Sequence, residues 1–312
     1  MAYSSLEILN PFTLRRRETG WRTGRWLAHL TLFGLTFLTT TAFGCSVMES
    51  FQAGRSLSVD YLFDGYVRLF HLDPAFWTGL YFALPLLLIL LAHEFGHFFA
   101  CRSSRVDSTL PFFLPSPLLL GTFGAFIRIR SPIYSRKVLL NIGISGPLAG
   151  FCVLLPFLIA GAYLSRFSSQ PVPADNFVFG MPLVMRIAML ICRGIPSAQI
   201  IFHPFAMAAW AGLLATAMNL LPIGQLDGGH VLYAVAGERW HRLISTFTIG
   251  VLVLLGFAYR AWWGWAVLMF LFGRRHPLVY DTTPVRRPQA LLALAGLCVL
   301  AVSLAVVPVS IR

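Results

Sequence analysis

Seven apolar stretches constrain this chain more than any other feature, because most of them approach the length that crosses a bilayer. A helix needs about 20 predominantly apolar residues to span the hydrocarbon core. The chain is 57% hydrophobic and only 12% charged, whereas soluble domains are about 25% charged. The sequence therefore predicts an all-α polytopic membrane protein with about six or seven transmembrane helices. The stretches lie at residues 26–47, 79–101, 138–164, 205–221, 244–259, 261–273 and 290–309.

The basic residues between these stretches predict the orientation. If the N-terminus is cytoplasmic, segments 1–25, 102–137, 222–243 and 274–289 are cytoplasmic too, and they carry 17 of the 24 Lys and Arg residues. Cytoplasmic loops are enriched in these residues. We therefore expect an integral multi-pass protein of an inner or plasma membrane, with a cytoplasmic segment 1–25 and one transmembrane domain over the rest, to residue 309. The same distribution accounts for the net charge of +12, so no nucleic-acid partner is expected.

The second stretch ends in a metal-binding pattern. The apolar residues 80–92 run directly into H-E-F-G-H at residues 93–97. Residues four apart share one face of a helix, so both imidazoles can bind one Zn²⁺ while Glu94 lies beside it as a general base. Ionisable groups are costly in hydrocarbon unless something pairs them, and a metal with its water would do so. The alternative is a polar helix patch satisfied by neighbouring helices.

A third ligand is expected, because catalytic zinc usually has three protein ligands and keeps one position for water. The fourth stretch is followed by N-L-L-P-I-G-Q-L-D-G-G-H at residues 219–230. The predicted topology places the ends of the second and fourth stretches on the same side, so Asp227 can meet His93 and His97. The alternative for Asp227 and the two glycines after it is an ordinary turn.

Together these motifs resemble the site-2 protease family of intramembrane zinc metalloproteases. The resemblance rests on H-E-x-x-H at residues 93–97 and N-x-x-P-x-x-x-L-D-G at residues 219–228. It extends through G-T-F-G-A-F-I-R-I-R at 121–130 and G-I-S-G-P-L-A-G at 143–150. It therefore covers a catalytic core at about residues 79–230.

The resemblance implies one Zn²⁺ per chain, held by His93, His97 and Asp227, with Glu94 as the catalytic base. It also implies that Asn219 helps to hold the substrate or the tetrahedral intermediate. Many members of the family carry a PDZ domain or a pair of CBS domains, and the segments between these stretches are too short for either. The chain resembles a minimal member of the family.

Two regions do not fit simple spans. Residues 110–130 are apolar but contain three prolines and two glycines, and their tail at 125–130 alternates apolar and basic residues. This pattern predicts a re-entrant or β-like hairpin near the active site. Its exposed edge could pair with an unwound substrate, and a purely structural hairpin is the alternative. Residues 181–201 mix basic residues, Gly and Pro into apolar sequence, which predicts an interfacial helix.

The function that these features favour is an intramembrane metalloprotease, whose partners are a transmembrane protein substrate and the lipid bilayer. The first alternative is a metal-ion transporter, which would need polar ligands at several depths. The second is an inactive scaffold, which the complete set of polar motif residues disfavours. His230 could organise water beside Asp227 or simply face the turn. Gly143, Gly146 and Gly150 have the small-residue spacing of close helix packing. No oligomeric state is predicted.

Overall fold

The structure, a computed structural model, describes residues 23–168, 176–194, 199–272, 279–281 and 283–311. Most of the predicted cytoplasmic segment 1–25 and part of segment 274–289 lie outside the described residues. Within the described part the chain is mainly helical. The α-helices are α1 (Thr23–Gln52), α2 (Asp64–Phe70), α3 (Leu80–Ser103), α4 (Arg136–Leu164), α5 (Leu183–Arg193), α6 (Pro204–Leu220), α7 (Asp227–Leu255), α8 (Ala261–Phe272) and α9 (Arg287–Ser303).

Short strands form three antiparallel pairs in the described residues: β1 with β2, β3 with β5, and β4 with β6. Two 3₁₀ helices, Pro74–Gly79 and Leu119–Gly121, lead into α3 and β2. The strands are β1 (Phe112–Pro115), β2 (Thr122–Phe126), β3 (Arg166–Ser168), β4 (Phe177–Phe179), β5 (Gln199–Ile201) and β6 (Val309–Ile311).

Three of the described helices are long and apolar enough to cross a membrane: Trp26–Gln52, Pro74–Ser103 and Arg136–Leu164. Three further apolar helices are shorter, at Pro204–Leu220, Ala261–Leu271 and Arg287–Ser303. The predicted helical class is therefore confirmed, together with helices of membrane-spanning length. The number of spans, six or seven, stays a prediction.

Helices α3, α4 and α6 pack closely because glycines at their crossings leave room for the neighbouring backbone. A Cβ added at Gly96 of α3 would lie 2.4 Å from the Ser145 carbonyl oxygen of α4. A Cβ at Gly161 of α4 would lie 2.2 Å from the Ala206 nitrogen of α6. The largest apolar core lies around this group of helices and includes the fully buried side chain of Trp210. Side chains on these three helices are therefore held in a rigid frame.

The predicted β-like hairpin is present as β1 and β2, paired with Phe112 opposite Phe126. The predicted strand at 125–130 is only partly correct, since the regular strand is Thr122–Phe126. Beyond it the pairing continues through an isolated bridge between Ser108 and Ile129. The register slips between the two pairings, so the alternating tail remains extended without forming one continuous strand.

The hairpin runs alongside α1 to the middle of that helix. At one end, His29 Nδ1 donates to the Pro111 carbonyl at 3.0 Å. At the other end, Thr39 Oγ1 donates to the Gly121 carbonyl at 2.6 Å. Ten residues of α-helix separate these contacts, which is about 15 Å. The hairpin therefore follows a helix of membrane-spanning length for about half the thickness of a bilayer core, which is about 30 Å.

Helix α7 differs from its sequence pattern. Segment 222–243, a connection between apolar stretches in the sequence, is helical from Asp227 onward. The helix bends at Gly237, whose φ of 81° is a left-handed conformation that favours glycine. The fifth and sixth apolar stretches correspond to the end of α7 and to α8, and Trp263 Nε1 of α8 donates to the Val253 carbonyl of α7 at 3.0 Å. Among the described residues of the predicted interfacial segment 181–201, those of α5 are helical.

Candidate metal centre

Helix α3 presents both histidines of the motif on one face, as the four-residue spacing predicts. Their Nε2 atoms lie 3.2 Å apart, and both side chains are buried. The surrounding residues of α3 are mostly Leu, Ala and Phe, which are not branched at Cβ, and the helix continues through the motif without a break. Two buried nitrogen donors therefore point to one position.

Asp227 completes a group of three donor atoms. It is the first residue of α7, and its Oδ2 lies 3.1 Å from His93 Nε2 and 3.2 Å from His97 Nε2. The three atoms thus form a nearly equilateral triangle. Ligand atoms bound at about 2.0–2.1 Å in a tetrahedral zinc site lie about 3.3 Å apart. The triangle fits such a metal, and a divalent cation would compensate the carboxylate, which would be costly to bury unpaired.

The protonation of His97 also suits a ligand. Its Nδ1 lies 2.7 Å from the Ile142 carbonyl oxygen of α4. A carbonyl oxygen can only accept, so Nδ1 carries the proton and Nε2 keeps its lone pair. Hydrogen bonds of this kind fix the tautomer and the ring orientation of metal-binding histidines. The main chain of α4 therefore holds the His97 ring with its free nitrogen toward Asp227.

The glycines of α4 form the surface against which the candidate ligands pack. A Cβ at Gly146 would lie 2.1 Å from His97 Nε2, and a Cβ at Gly150 would lie 3.1 Å from His93 Cβ. A Cβ at Gly143 would lie 3.2 Å from the Asp227 main-chain oxygen. Close packing at this spacing was predicted from the sequence. The structure adds that the packing partners are the metal-site residues themselves.

Glu94 and Asn219 lie beside the triangle without being part of it. Both line a cavity of about 190 Å³ together with the three donor residues. Glu94 is buried, and Ile127, which follows strand β2, lines the same cavity. Asn219, in the last turn of α6, has its Nδ2 3.4 Å from His93 Nε2. His230 lines the same cavity, and its role stays a prediction.

A second cavity, of about 320 Å³, continues from this one, since His93, Glu94, Asn219 and Ala125 line both. One wall is strand β2 and another is α6, where the small residues Ala211, Gly212 and Ala215 leave space. The rest is largely apolar and aromatic. It includes Leu86, Ile89, Tyr259, Trp262 and Trp265. An apolar segment could therefore extend from the metal centre between the hairpin and α6.

Sequence reasoning identified the five polar residues that the structure brings together, but it missed groups that hold them. The Ile142 carbonyl was missed because a main-chain contact leaves no residue-type signal. The side chains of His241 and Ser245, which bond the loop before Asp227, were also missed. Their spacing of four residues on one helix was a signal, but its target was not visible in the sequence.

Comparisons with known proteins bear on this site. A sequence model described as Peptidase family M50 matches residues 81–260, a range that includes all five polar site residues. The Probable zinc metalloprotease EGY2, chloroplastic, of Oryza sativa subsp. indica is 33% identical over 214 residues, which cover 68% of this chain and 39% of that protein.

Two other relatives extend the comparison. The Probable zinc metalloprotease EGY1, chloroplastic, of Arabidopsis thaliana is 32% identical over 242 residues, covering 73% of this chain and 43% of that protein. A zinc metalloprotease of Methanocaldococcus jannaschii is 24% identical over 174 residues, covering 56% of this chain and 39% of that protein. The chain thus spans about two fifths of the length of these relatives.

Proposed function

The chain belongs to peptidase family M50, the site-2 protease family, and on that premise we propose that it is an intramembrane zinc metalloprotease. It hydrolyses peptide bonds in or near the transmembrane segments of membrane-protein substrates. The observation that carries this proposal is the triangle of donor atoms from the buried His93 and His97 and the partly buried Asp227, with Glu94 in the same cavity. The names of the relatives, which are zinc metalloproteases, support the reaction and the metal.

His93 Nε2, His97 Nε2 and Asp227 Oδ2 would hold one Zn²⁺ per chain. When bound, the ion supplies a Lewis acid that polarises a carbonyl and lowers the pKa of a coordinated water to about 7. Two neutral histidines and one carboxylate leave a net positive charge on the loaded site, which suits this chemistry. The hydrogen bond from His97 to the Ile142 carbonyl keeps the ring in place during turnover.

Glu94 is the general base and acid of the reaction. Its carboxylate takes a proton from the attacking water and passes it to the leaving amine. The Asn219 amide, next to His93 Nε2, donates a hydrogen bond to the oxyanion that develops on the attacked carbonyl. Each residue acts from a rigid helix rather than from a loop.

The reaction takes place at membrane depth. His93 lies ten residues before the end of the Pro74–Ser103 span, which is about 15 Å of helix. A transmembrane substrate has its carbonyls bonded within its own helix, so it must unwind locally before attack. The unwound segment lies in the 320 Å³ cavity and pairs with the edge of the hairpin by β-addition. Gly124 of β2 supports this position for the substrate. Its φ is +103°, and a Cβ added there would have no atom within 4 Å, so the space beside the strand is open.

The finer topology is part of the proposal. The spans are the three long helices, the shorter helices α6, α8 and α9, and the second part of α7. The 17-to-7 distribution of basic residues supports a cytoplasmic N-terminus in an inner or plasma membrane. The domain at 26–309, with its catalytic core at about 79–230, works as one unit, since α3, α4 and α6 share the main apolar core.

The test is cleavage by purified protein. Zinc-loaded protein in detergent or liposomes is incubated with a panel of transmembrane peptides, and products are identified by mass spectrometry. We expect cleavage that a chelator abolishes and added zinc restores. The Glu94→Gln variant should retain zinc and lose activity, since the amide cannot accept the proton. Wild-type rates in Glu94→Gln, or an intact panel after incubation with zinc-loaded wild type, would overturn the proposal.

A further inference from the structure

The loop between α6 and α7 connects two residues of the site. Asn219 lies one residue before the end of α6, and Asp227 is the first residue of α7. The loop, residues 221–226, bonds itself internally where the Ile223 N–H donates to the Leu221 carbonyl at 2.7 Å. Since the loop is short, its position sets where both functional side chains stand relative to His93.

Two buried side chains from the second part of α7 bond this loop. His241 Nε2 lies 3.0 Å from the Gly224 carbonyl oxygen, so Nε2–H is the donor. Ser245 Oγ accepts from the Gly224 N–H at 3.3 Å and donates to the Pro222 carbonyl at 3.2 Å. The residues are 2% and 1% exposed. Together they satisfy three polar main-chain groups of the loop, on one face of one helix.

The bend at Gly237 makes this contact possible. It separates the first part of α7, which carries Asp227, from the part that carries His241 and Ser245. The helix thus turns back on the loop that precedes it. Gly237 in turn faces the Arg136 side chain, which would lie 3.0 Å from a Cβ at that position.

The junction between the loop and α7 has no free space. A Cβ at Gly228 would lie 2.0 Å from the Leu220 carbonyl oxygen, and a Cβ at Gly229 would lie 2.3 Å from the Gly224 carbonyl oxygen. Main chain therefore packs directly on main chain around Asp227. A shift of the loop is transmitted to Asp227, because no flexible side chain lies between them to absorb it.

We infer that His241 and Ser245 are positioning residues that hold loop 221–226 so that Asp227 and Asn219 keep their places beside His93 and His97. Neither residue is among those that line the two cavities of the site. The part of the inference that concerns metal binding depends only on the triangle of donor atoms. The part that concerns turnover rests on the proposed function. A purely structural role, in which both side chains only fill the core, is the alternative that the experiment must exclude.

Three variants separate these roles. His241→Phe keeps an aromatic ring and removes the donor, whereas His241→Gln keeps an N–H donor near the position of Nε2. Ser245→Ala removes both bonds of the hydroxyl. The matched control is Thr246→Val, since within the described part of the chain the Thr246 hydroxyl bonds only the Arg242 carbonyl of its own helix. Zinc affinity is measured on purified protein by competition with a chromophoric chelator, and the visible spectrum of the Co²⁺-loaded protein reports coordination geometry.

We expect His241→Phe and Ser245→Ala to weaken zinc binding by about tenfold, as changes around metal ligands do. Both should alter the Co²⁺ spectrum, while His241→Gln restores most of the affinity and Thr246→Val matches wild type. On any peptide that is cleaved, kcat should fall more than KM changes, because residues 221–226 are not among those that line the larger cavity, in which the substrate segment is proposed to lie.

Wild-type zinc affinity and Co²⁺ spectra in both His241→Phe and Ser245→Ala would overturn the inference. It would also be overturned if His241→Gln lost as much affinity as His241→Phe, since filling the core would then explain both. If His241→Phe does not fold, Ser245→Ala and His241→Gln decide the matter. If wild-type protein binds zinc but cleaves nothing, the proposed function fails while the zinc measurements still test the positioning role.

Discussion

The substitution Gly146→Ala gives a direct test of how the metal centre is built. Its Cβ would lie 2.1 Å from His97 Nε2, 2.4 Å from Cδ2 and 2.5 Å from Cε1, where ordinary contact begins at 3.4 Å. The ring would therefore have to retreat by about 1.3 Å, or α4 would have to separate from α3. The ring cannot retreat freely, because its Nδ1 is bonded to the Ile142 carbonyl of the same helix α4.

A displacement of this size should cost about 100-fold in zinc affinity, the upper end of what changes beside metal ligands cost. The same substitution should stabilise helix α4 itself, because Ala is favoured over Gly by about 1 kcal/mol inside a helix. A loss of zinc binding could then not be attributed to unfolding of the helix. Two controls bracket the effect. Gly150→Ala approaches His93 Cβ only to 3.1 Å and should cost much less, while Gly250→Ala meets nothing within 4 Å.

The assay is elemental analysis of purified protein at fixed free zinc, followed by chelator competition for variants that bind. We expect affinity to fall in the order wild type and Gly250→Ala, then Gly150→Ala, then Gly146→Ala. Binding by Gly146→Ala within twofold of wild type would show that the His97 ring is not held where the structure has it, and the argument from close packing would be wrong.

Three further predictions follow from the proposed function. Asp227→Ala should lose most of its zinc while Glu94→Gln keeps it, as measured by elemental analysis; full zinc in Asp227→Ala would remove Asp227 from the ligand set. On a cysteine-free background, labelling should find His71→Cys on the outer side and Ser103→Cys on the cytoplasmic side; the reverse pattern would overturn the orientation. Ile127→Pro removes a main-chain donor at the hairpin, so turnover should fall with zinc retained. Because Ile127 and Glu94 line the same cavity, a rise in KM would indicate that Ile127 holds the substrate, whereas a fall in kcat alone would indicate that Ile127 acts on Glu94.

The order of helices and the first half of the metal site could be predicted because both depend on short-range sequence. Apolar composition over about 20 residues is enough to favour a membrane helix. The pairing of His93 with His97 follows from helix periodicity alone. The prediction of Asp227 as the third ligand required one more step, since only the predicted number of spans and the resemblance placed it on the same side of the membrane as the histidines. The glycine spacing on α4 predicted close helix packing, but it did not indicate which residues would pack against the glycines.

The tertiary structure decided what surrounds these residues. The Ile142 carbonyl orients His97 through a main-chain contact, which any residue type could make. His241 and Ser245 meet the loop before Asp227 only because the helix bends at Gly237, and a backbone conformation with φ of 81° cannot be inferred from a single glycine. The sequence by itself therefore determined the candidate ligands and the apolar helices that carry them, through periodicity, hydrophobicity and the resemblance. Only the fold determined how they are held, because main-chain bonds and close contacts between distant segments depend on the packed arrangement of the whole chain.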